Sequence, residues 1–263
     1  MVMTATDQGI FIRDFLTPAM VDAGIAAWDG GTTTFTSDTK IIIFDHNADR
    51  IDYPLDILND ATIKPFIGGS AFHMYRGDIS SLTQVHIAHP DKDIHFTEQW
   101  VSNEGDVEYD LLWHSQNILI GSLKNFARTV LEWNLSSNPH LTPHTDGGCT
   151  NCLGAVTIDD DGSFTVTRNT AYFVVAHASQ YLVPGSTRIT SYWDNSDTAS
   201  TTTSSMESNT IDHVVFLTPE DKVAILLANR GYDDTIIAIA DDREDRRLLH
   251  VTLLARSLTT LIL

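Results

Sequence analysis

The chain has 263 residues, 42% of them hydrophobic and 19% charged, which is incompatible with global disorder and sufficient for a substantial core in one or two domains. Its 35 acidic residues against 16 basic ones give a net charge of −19 and a pI near 4.6. Such a surface repels phosphate backbones, so no nucleic acid partner is expected; a neutral or cationic ligand, or a salty habitat, fits it.

Residues 4–23 predict a helix. Thr4 or Thr6 can cap it, Ile10, Phe11, Phe15 and Leu16 form its apolar face, Pro18 kinks it or starts a final turn, and Gly24 stops it. Residues 28–38 are rich in Gly and Thr and predict an extended loop. The β-branched run at 40–44 predicts a strand buried on both faces, as in a parallel sheet, ending in Asp45-His46-Asn47. The pattern then repeats: a helix over 54–64, a strand over 69–75, a helix over 79–88, a strand over 94–97 ending at Glu98, a helix over 109–125 and a strand over 129–134. A Pro/Gly-rich loop at 139–154 precedes a last helix at 169–182. Alternating strands and helices imply parallel βαβ units.

Composition changes near residues 183–186, and residues 194–210, rich in Ser, Thr and Asp, predict a mobile loop. Apolar runs at 214–217, 223–228, 235–240, 248–253 and 258–263 are separated by turn signals, the pattern of an antiparallel sandwich. Two domains are expected, 1–185 and 186–263. No run of 18 apolar residues occurs, so no membrane span is expected. Residues 1–7 carry neither the basic nor the apolar region of a signal peptide.

In parallel α/β folds, sites form where loops leave the carboxyl ends of strands. Those ends hold Asp45, His46 and Asn47, then His73 and Tyr75, Glu98 and Trp100, and Glu132, Trp133 and Asn134. Rings that stack on pyranose faces, polar groups that grip hydroxyls and a carboxylate at the anomeric carbon are what sugar chemistry needs. Each residue also has a plain structural reading. Asp45 and Glu132 can cap helices, Tyr75 and Trp133 can be core rings with a polar handle, and His46 and His73 can be satisfied histidines. Glu98 differs, because it stands between Thr97 and Gln99 where no cap is needed. The scattered histidines show no metal-ligand spacing, and G-x-S-x-G, P-loop and G-x-G-x-x-G motifs are missing, so neither metal nor cofactor is expected. Cys149 and Cys152 form one C-x-x-C among Gly and Thr; a loop staple or free thiols come first, a redox pair second and half a zinc site last.

Residues 40–49 with Asp52-Tyr53-Pro54 resemble the fifth barrel strand of glycoside hydrolase family 30, the glucosylceramidase and β-1,6-glucanase family. Residues 69–75 resemble its sixth strand, 85–92 with Phe96-Thr97-Glu98 its seventh, and Leu131-Glu132-Trp133-Asn134-Leu135 its eighth. Residues 147–154 and 181–189 resemble its later loop and the exit from its last helix.

The resemblance implies an α/β plus all-β chain: a partial (β/α)8 TIM barrel, about strands 5–8, followed by a C-terminal antiparallel β-sandwich. It implies a retaining mechanism on a β-linked glucoside or glucan, with Glu98 as nucleophile and a second carboxylic acid as acid/base roughly 5–5.5 Å away. Asp45, His73, Tyr75, Trp133 and Asn134 become substrate-binding residues. The family's acid/base lies in an Asn-Glu-Pro at the end of strand four, and no Asn-Glu-Pro occurs here. The first four strands are therefore expected to be missing. Poor stability and little activity of the chain by itself follow as expectations. A separate N-terminal half-barrel polypeptide is the implied partner of a split enzyme, and a carbohydrate-binding pseudoenzyme is the alternative. For a full-length parent, the resemblance implies an extracellular or periplasmic location.

Overall fold

The computed structural model describes residues 3–30, 35–192, 210–240 and 248–263. The expected mobile loop at 194–210 lies outside these residues except for Thr210. The chain forms two compact units: Met1–Gln99 with Gly121–Leu131, and Trp100–Ile120 with Glu132–Leu263.

The first unit opens with helix α1 (Ala5–Phe11). The Thr4 hydroxyl accepts from the Asp7 amide at 3.1 Å while the Asp7 carboxylate accepts from the Thr4 amide, a capping box that satisfies two orphan donors. A π-helical stretch, Ile12–Leu16, leads into α2 (Thr17–Asp22), which has Pro18 in its first turn. Pro18 has no N–H to give, so the wider turn falls just ahead of it. The helix ends at Gly24, whose φ of +71° suits glycine. The expected apolar face is corrected here. Ile10, Phe11 and Phe15 are exposed, whereas Gly9, Ile12, Thr17 and Met20 are buried. The i→i+5 period of the π stretch puts Ile12 and Thr17 on one side and rotates Phe15 away.

The predicted loop at 28–38 contains a two-stranded ribbon, Ala26–Trp28 against Phe35–Ser37, with Trp28 and Phe35 both edge-on to Phe66. Four strands follow: β1 (Ile41–Asn47), β2 (Ile67–His73), β3 (Asp93–Glu98) and β4 (Ala127–Val130). They form one parallel sheet in that order. Helices α3 (Asp52–Leu58) and α4 (Ser81–Ala88) connect the first three. Before β4 the chain runs through α5 (Val107–Trp113), a second π-helical stretch (His114–Ile120) and α6 (Gly121–Lys124), of which α6 belongs to the first unit.

One face of the sheet is the core: Ile43, Phe72, Ile94 and Phe96 are fully buried with Ile57, Leu58, Leu82 and Val85. The run at 40–44 is buried on one face at Ile41 and Ile43 and half-buried on the other at Ile42 and Phe44, whereas β3 is apolar on one face only. On β3, Asp93, His95 and Thr97 alternate with the buried Ile94 and Phe96 and so share the opposite face. There Asp93 pairs with Lys40 and with Arg128, and His95 Nδ1 lies 3.0 Å from the Thr129 hydroxyl. The predicted strand at 129–134 also needs correction, since β4 stops at Val130. Leu131 still donates to the Phe96 carbonyl, but Glu132 turns its side chain into the second unit.

In the second unit, Asp106 caps α5 by accepting from the Tyr109 amide. Helix α7 (Thr170–Ser179) packs on α5 and the π stretch. Strands β5 (Thr187–Ile189), β6 (Ile211–Leu217), β7 (Val223–Asn229) and β10 (Ser257–Ile262) form an antiparallel sheet in the order β5-β6-β7-β10. Strands β8 (Thr235–Ala240) and β9 (Leu248–Leu253) form a second antiparallel pair. Val215, Val223, Ile225 and Leu227 of the larger sheet enclose one core with Ile237 and Leu253 of the pair. Two sheets sharing one core make a β-sandwich.

Candidate active site at the carboxyl ends of the parallel strands

At the end of β1 the backbone leaves the regular strand. Phe44 and Asp45 have φ of 77° and 59°, and the pairing with β2 shifts register between Phe44 and His46. Two consecutive non-glycine residues at positive φ are strained, and such strain collects where a side chain must be aimed. The Phe44 ring packs between Tyr53 and Phe72, and its amide donates to Gln8 Oε1. These contacts hold the bulge and turn Asp45 toward β2 and β3.

Asp45 Oδ1 accepts from the Thr97 hydroxyl at 2.7 Å and faces His73 Nε2 at 3.1 Å. A carboxylate only accepts, so Nε2 is the nitrogen that carries hydrogen in this bond. The other nitrogen, His73 Nδ1, lies 3.9 Å from Glu98 Oε1. The Tyr75 hydroxyl donates to the same oxygen at 3.0 Å, and the Tyr75 amide donates to Asn47 Oδ1. His73 is buried, with its ring edge-on to Tyr75 and to His46. Glu98 is about one-third exposed, so a ligand can reach its carboxylate.

Four of the six expected site residues thus come together in the first unit as two hydrogen-bonded pairs, Asp45 with His73 and Tyr75 with Glu98, which face each other across the 3.9 Å between His73 and Glu98. The other two, Trp133 and Asn134, belong to the second unit. Trp133 forms a parallel bridge with Trp100 and is about half exposed; the Asn134 carbonyl accepts from the Ala155 amide. Sequence reasoning missed Thr97 as a contributor and placed Asn47 at a strand end without giving it a role. The signal for Thr97 was the alternation Asp93, His95, Thr97, a polar residue at every second position of a strand.

A cavity next to Asp45 is lined by Ile42, Ala71, His95, Thr97 and Thr129 among others. Burial pushes the His95 imidazole below its usual range, which favours its neutral form. Among the described residues no group of three or more His, Cys, Asp or Glu is placed to hold a metal ion. Cys149 and Cys152 are joined as a disulfide, the loop staple among the readings open from sequence. Cys152 pairs with Ser102 in a short ribbon, Val101–Ser102 against Cys152–Leu153.

Elsewhere in the second unit, His114 Nδ1 meets Glu132 Oε1 at 2.8 Å, with both side chains almost wholly buried. Burial raises the Glu132 carboxyl above its ordinary value, with His114 opposing the shift. Glu132 is therefore neither a helix cap nor a group open to ligand.

A parallel α/β sheet with a carboxylate cluster at its strand ends, joined to an antiparallel sandwich, defines a partial (β/α)8 barrel with a C-terminal β-sandwich. Comparison with known proteins agrees. Residues 185–261 match the model of the glycosyl hydrolase family 30 beta sandwich domain. The endo-1,6-beta-D-glucanase neg1 of Aspergillus fumigatus is 33% identical over 178 residues, which make up 66% of this chain and 32% of that protein. The endo-1,6-beta-D-glucanase BGN16.3 of Trichoderma harzianum is 29% identical over 244 residues, 91% of this chain and 44% of that protein. The solved endo-beta1,6-glucanase BT3312 superposes with a TM-score of 0.81 at 29% identity, over 98% of this chain and 53% of that one. The chain belongs to glycoside hydrolase family 30, of which it matches the C-terminal portion. It spans less than half the length of these curated relatives. Among the described residues, no helix is long and apolar enough to cross a membrane.

Proposed function

We propose that the chain is part of a retaining β-glycosidase acting on β-1,6-linked glucan, with Glu98 as its nucleophile, residues 1–185 contributing to the barrel and residues 186–263 forming the sandwich domain. The observation that carries this reading is the Glu98 carboxylate itself: part-exposed at the end of a parallel strand, with one oxygen held by Tyr75 and faced by His73. The endo-1,6-β-glucanases, at 29–33% identity, lie nearer than the putative glucosylceramidases of Caenorhabditis elegans at 25–26%, which favours glucan over glucosylceramide.

In the proposed reaction a Glu98 oxygen attacks the anomeric carbon. The carbon–oxygen bond to the leaving group breaks with its electron pair, and a glycosyl ester forms on the enzyme. Water then releases the sugar with net retention. Tyr75 fixes the carboxylate for attack and Asp45 and His73 bind the sugar; Trp133 and Asn134 are assigned to substrate binding by the family resemblance. No Asn-Glu-Pro occurs in these 263 residues, so the acid that protonates an unactivated leaving oxygen is assigned to none of them. That observation favours a second reading, a sugar-binding chain that needs a complementary half-barrel polypeptide for turnover.

The test uses a substrate that needs no acid. A 2,4-dinitrophenyl 2-deoxy-2-fluoro-β-glucoside releases dinitrophenolate unprotonated and leaves a stable glycosyl ester. Intact-mass and peptide analysis should find the added sugar on Glu98 and none on Glu98→Gln. Labelling of a different carboxylate, or none, would refute the assignment. Unactivated β-1,6-glucan should be cut slowly or not at all by this chain alone.

A further inference from the structure

We propose that Thr97 is a positioning residue: through Asp45 it fixes the His73 ring with its Nε2 hydrogen turned away from Glu98 and Nδ1 turned toward it. The inference deepens the glycosidase reading and rests on Glu98 being the nucleophile.

The threonine hydroxyl has one hydrogen to donate. Two acceptors are near, Asp45 Oδ1 at 2.7 Å and the Phe72 carbonyl at 3.4 Å. The shorter, charge-assisted bond takes the hydrogen. Asp45 thereby has its Oδ1 located by a side chain of β3, two strands away in the same sheet. That oxygen also meets His73 Nε2. In either charge state of the imidazole the Nε2 hydrogen belongs to this bond, which leaves Nδ1 as the nitrogen facing Glu98 Oε1.

The packing of Phe44 holds the bulge that carries Asp45, but it does not hold the Asp45 carboxylate itself. Its backbone, and that of Phe44 before it, is held at positive φ, a conformation the strand would shed without compensation. Thr97 supplies part of that compensation at the side-chain end, as the packing of Phe44 does at the backbone end. Without the hydroxyl, the bulge has one anchor fewer, and Asp45 is free to turn to water.

Two measurements on the full chain separate this inference from the reading beneath it. Nitrogen-15 histidine spectra should show the hydrogen of His73 on Nε2 in the wild type and in Thr97→Ser. In the near-isosteric Thr97→Val the two tautomers should mix. Labelling of Glu98 by the fluoroglucoside should slow by about tenfold in Thr97→Val, the loss of one hydrogen bond to a charged group, and stay within about twofold in Thr97→Ser. A His73 hydrogen on Nδ1 in the wild type, or a Thr97→Val spectrum and labelling rate equal to wild type, would overturn the positioning role. A wild type that shows the Nε2 hydrogen but is never labelled sinks Glu98 as nucleophile, while the spectra of the two variants still decide whether Thr97 holds the ring.

Discussion

Glu132 is a carboxyl group with almost no water around it. One oxygen meets His114, and the other, Oε2, is buried with no hydrogen-bond partner. Burial is the larger influence and raises its pKa above the ordinary 4.5, so folding shifts the group toward its neutral form. The sign of the consequence follows from linkage. Below the ordinary carboxyl value both folded and unfolded chains hold the proton, and the site costs nothing. As pH rises above that value the unfolded chain releases its proton first, so stability falls until the raised folded value is passed. Replacing the acid by its amide removes this slope while keeping a group that can bond His114. We expect Glu132→Gln to be at least as stable as wild type at about pH 8, with the difference shrinking toward about pH 4. Glu132→Ala, which leaves His114 Nδ1 without this partner, should lose about 2 kcal/mol. Urea denaturation of the three proteins across this pH range checks it; a wild type that gains stability from Glu132 as pH rises would contradict the argument.

At the scale of elements, the sandwich was the most legible part. The run Val223 to Ala228 is apolar without a break, and β7 is buried at every position. A strand buried on both faces reads as such a run. The parallel strands were legible as elements but not in their details. The left-handed backbone at Phe44 and Asp45 has no glycine to announce it, because its cause is the long-range packing of Phe44 on Tyr53 and Phe72. The two π-helical stretches were likewise invisible, since an extra residue in a turn leaves the composition unchanged and only rotates the apolar face. Asn229, at the end of β7, also escaped notice. It is buried; its amide nitrogen donates to the carbonyls of Asp233 and Leu254, and its oxygen accepts from the Gly231 amide. One side chain thus closes the turn before β8 and the turn after β9. Asn229→Ala should cost about 3 kcal/mol by orphaning several buried backbone groups. Asn229→Asp should cost as much, because a carboxylate cannot donate to those carbonyls. Thermal unfolding of both variants tests this; an aspartate variant that matches wild type would show that the donated bonds carry little.

Across the whole molecule two opposite tendencies meet. The net charge of −19 keeps copies of the chain apart. Against it stand the edges of the parallel sheet: among the described residues β1 pairs only with β2, and β4 only with β3. An edge strand is the template on which strands of different copies join. Phe11 and Phe15 add a stacked, exposed apolar pair on the opening helix. Repulsion between surface charges reaches about 10 Å at 0.1 M salt and about 3 Å at 1 M, whereas strand pairing and apolar contact are not screened in this way. Added salt should therefore tip the chain from separate molecules toward self-association. Light scattering at fixed protein concentration is expected to rise between about 0.05 M and about 1 M sodium chloride. The double variant Phe11→Ser with Phe15→Ser should move the onset to higher salt by removing the apolar share of the attraction. Scattering that stays flat or falls as salt is added would mean that the open strand edges are not the dominant source of attraction between copies of this chain.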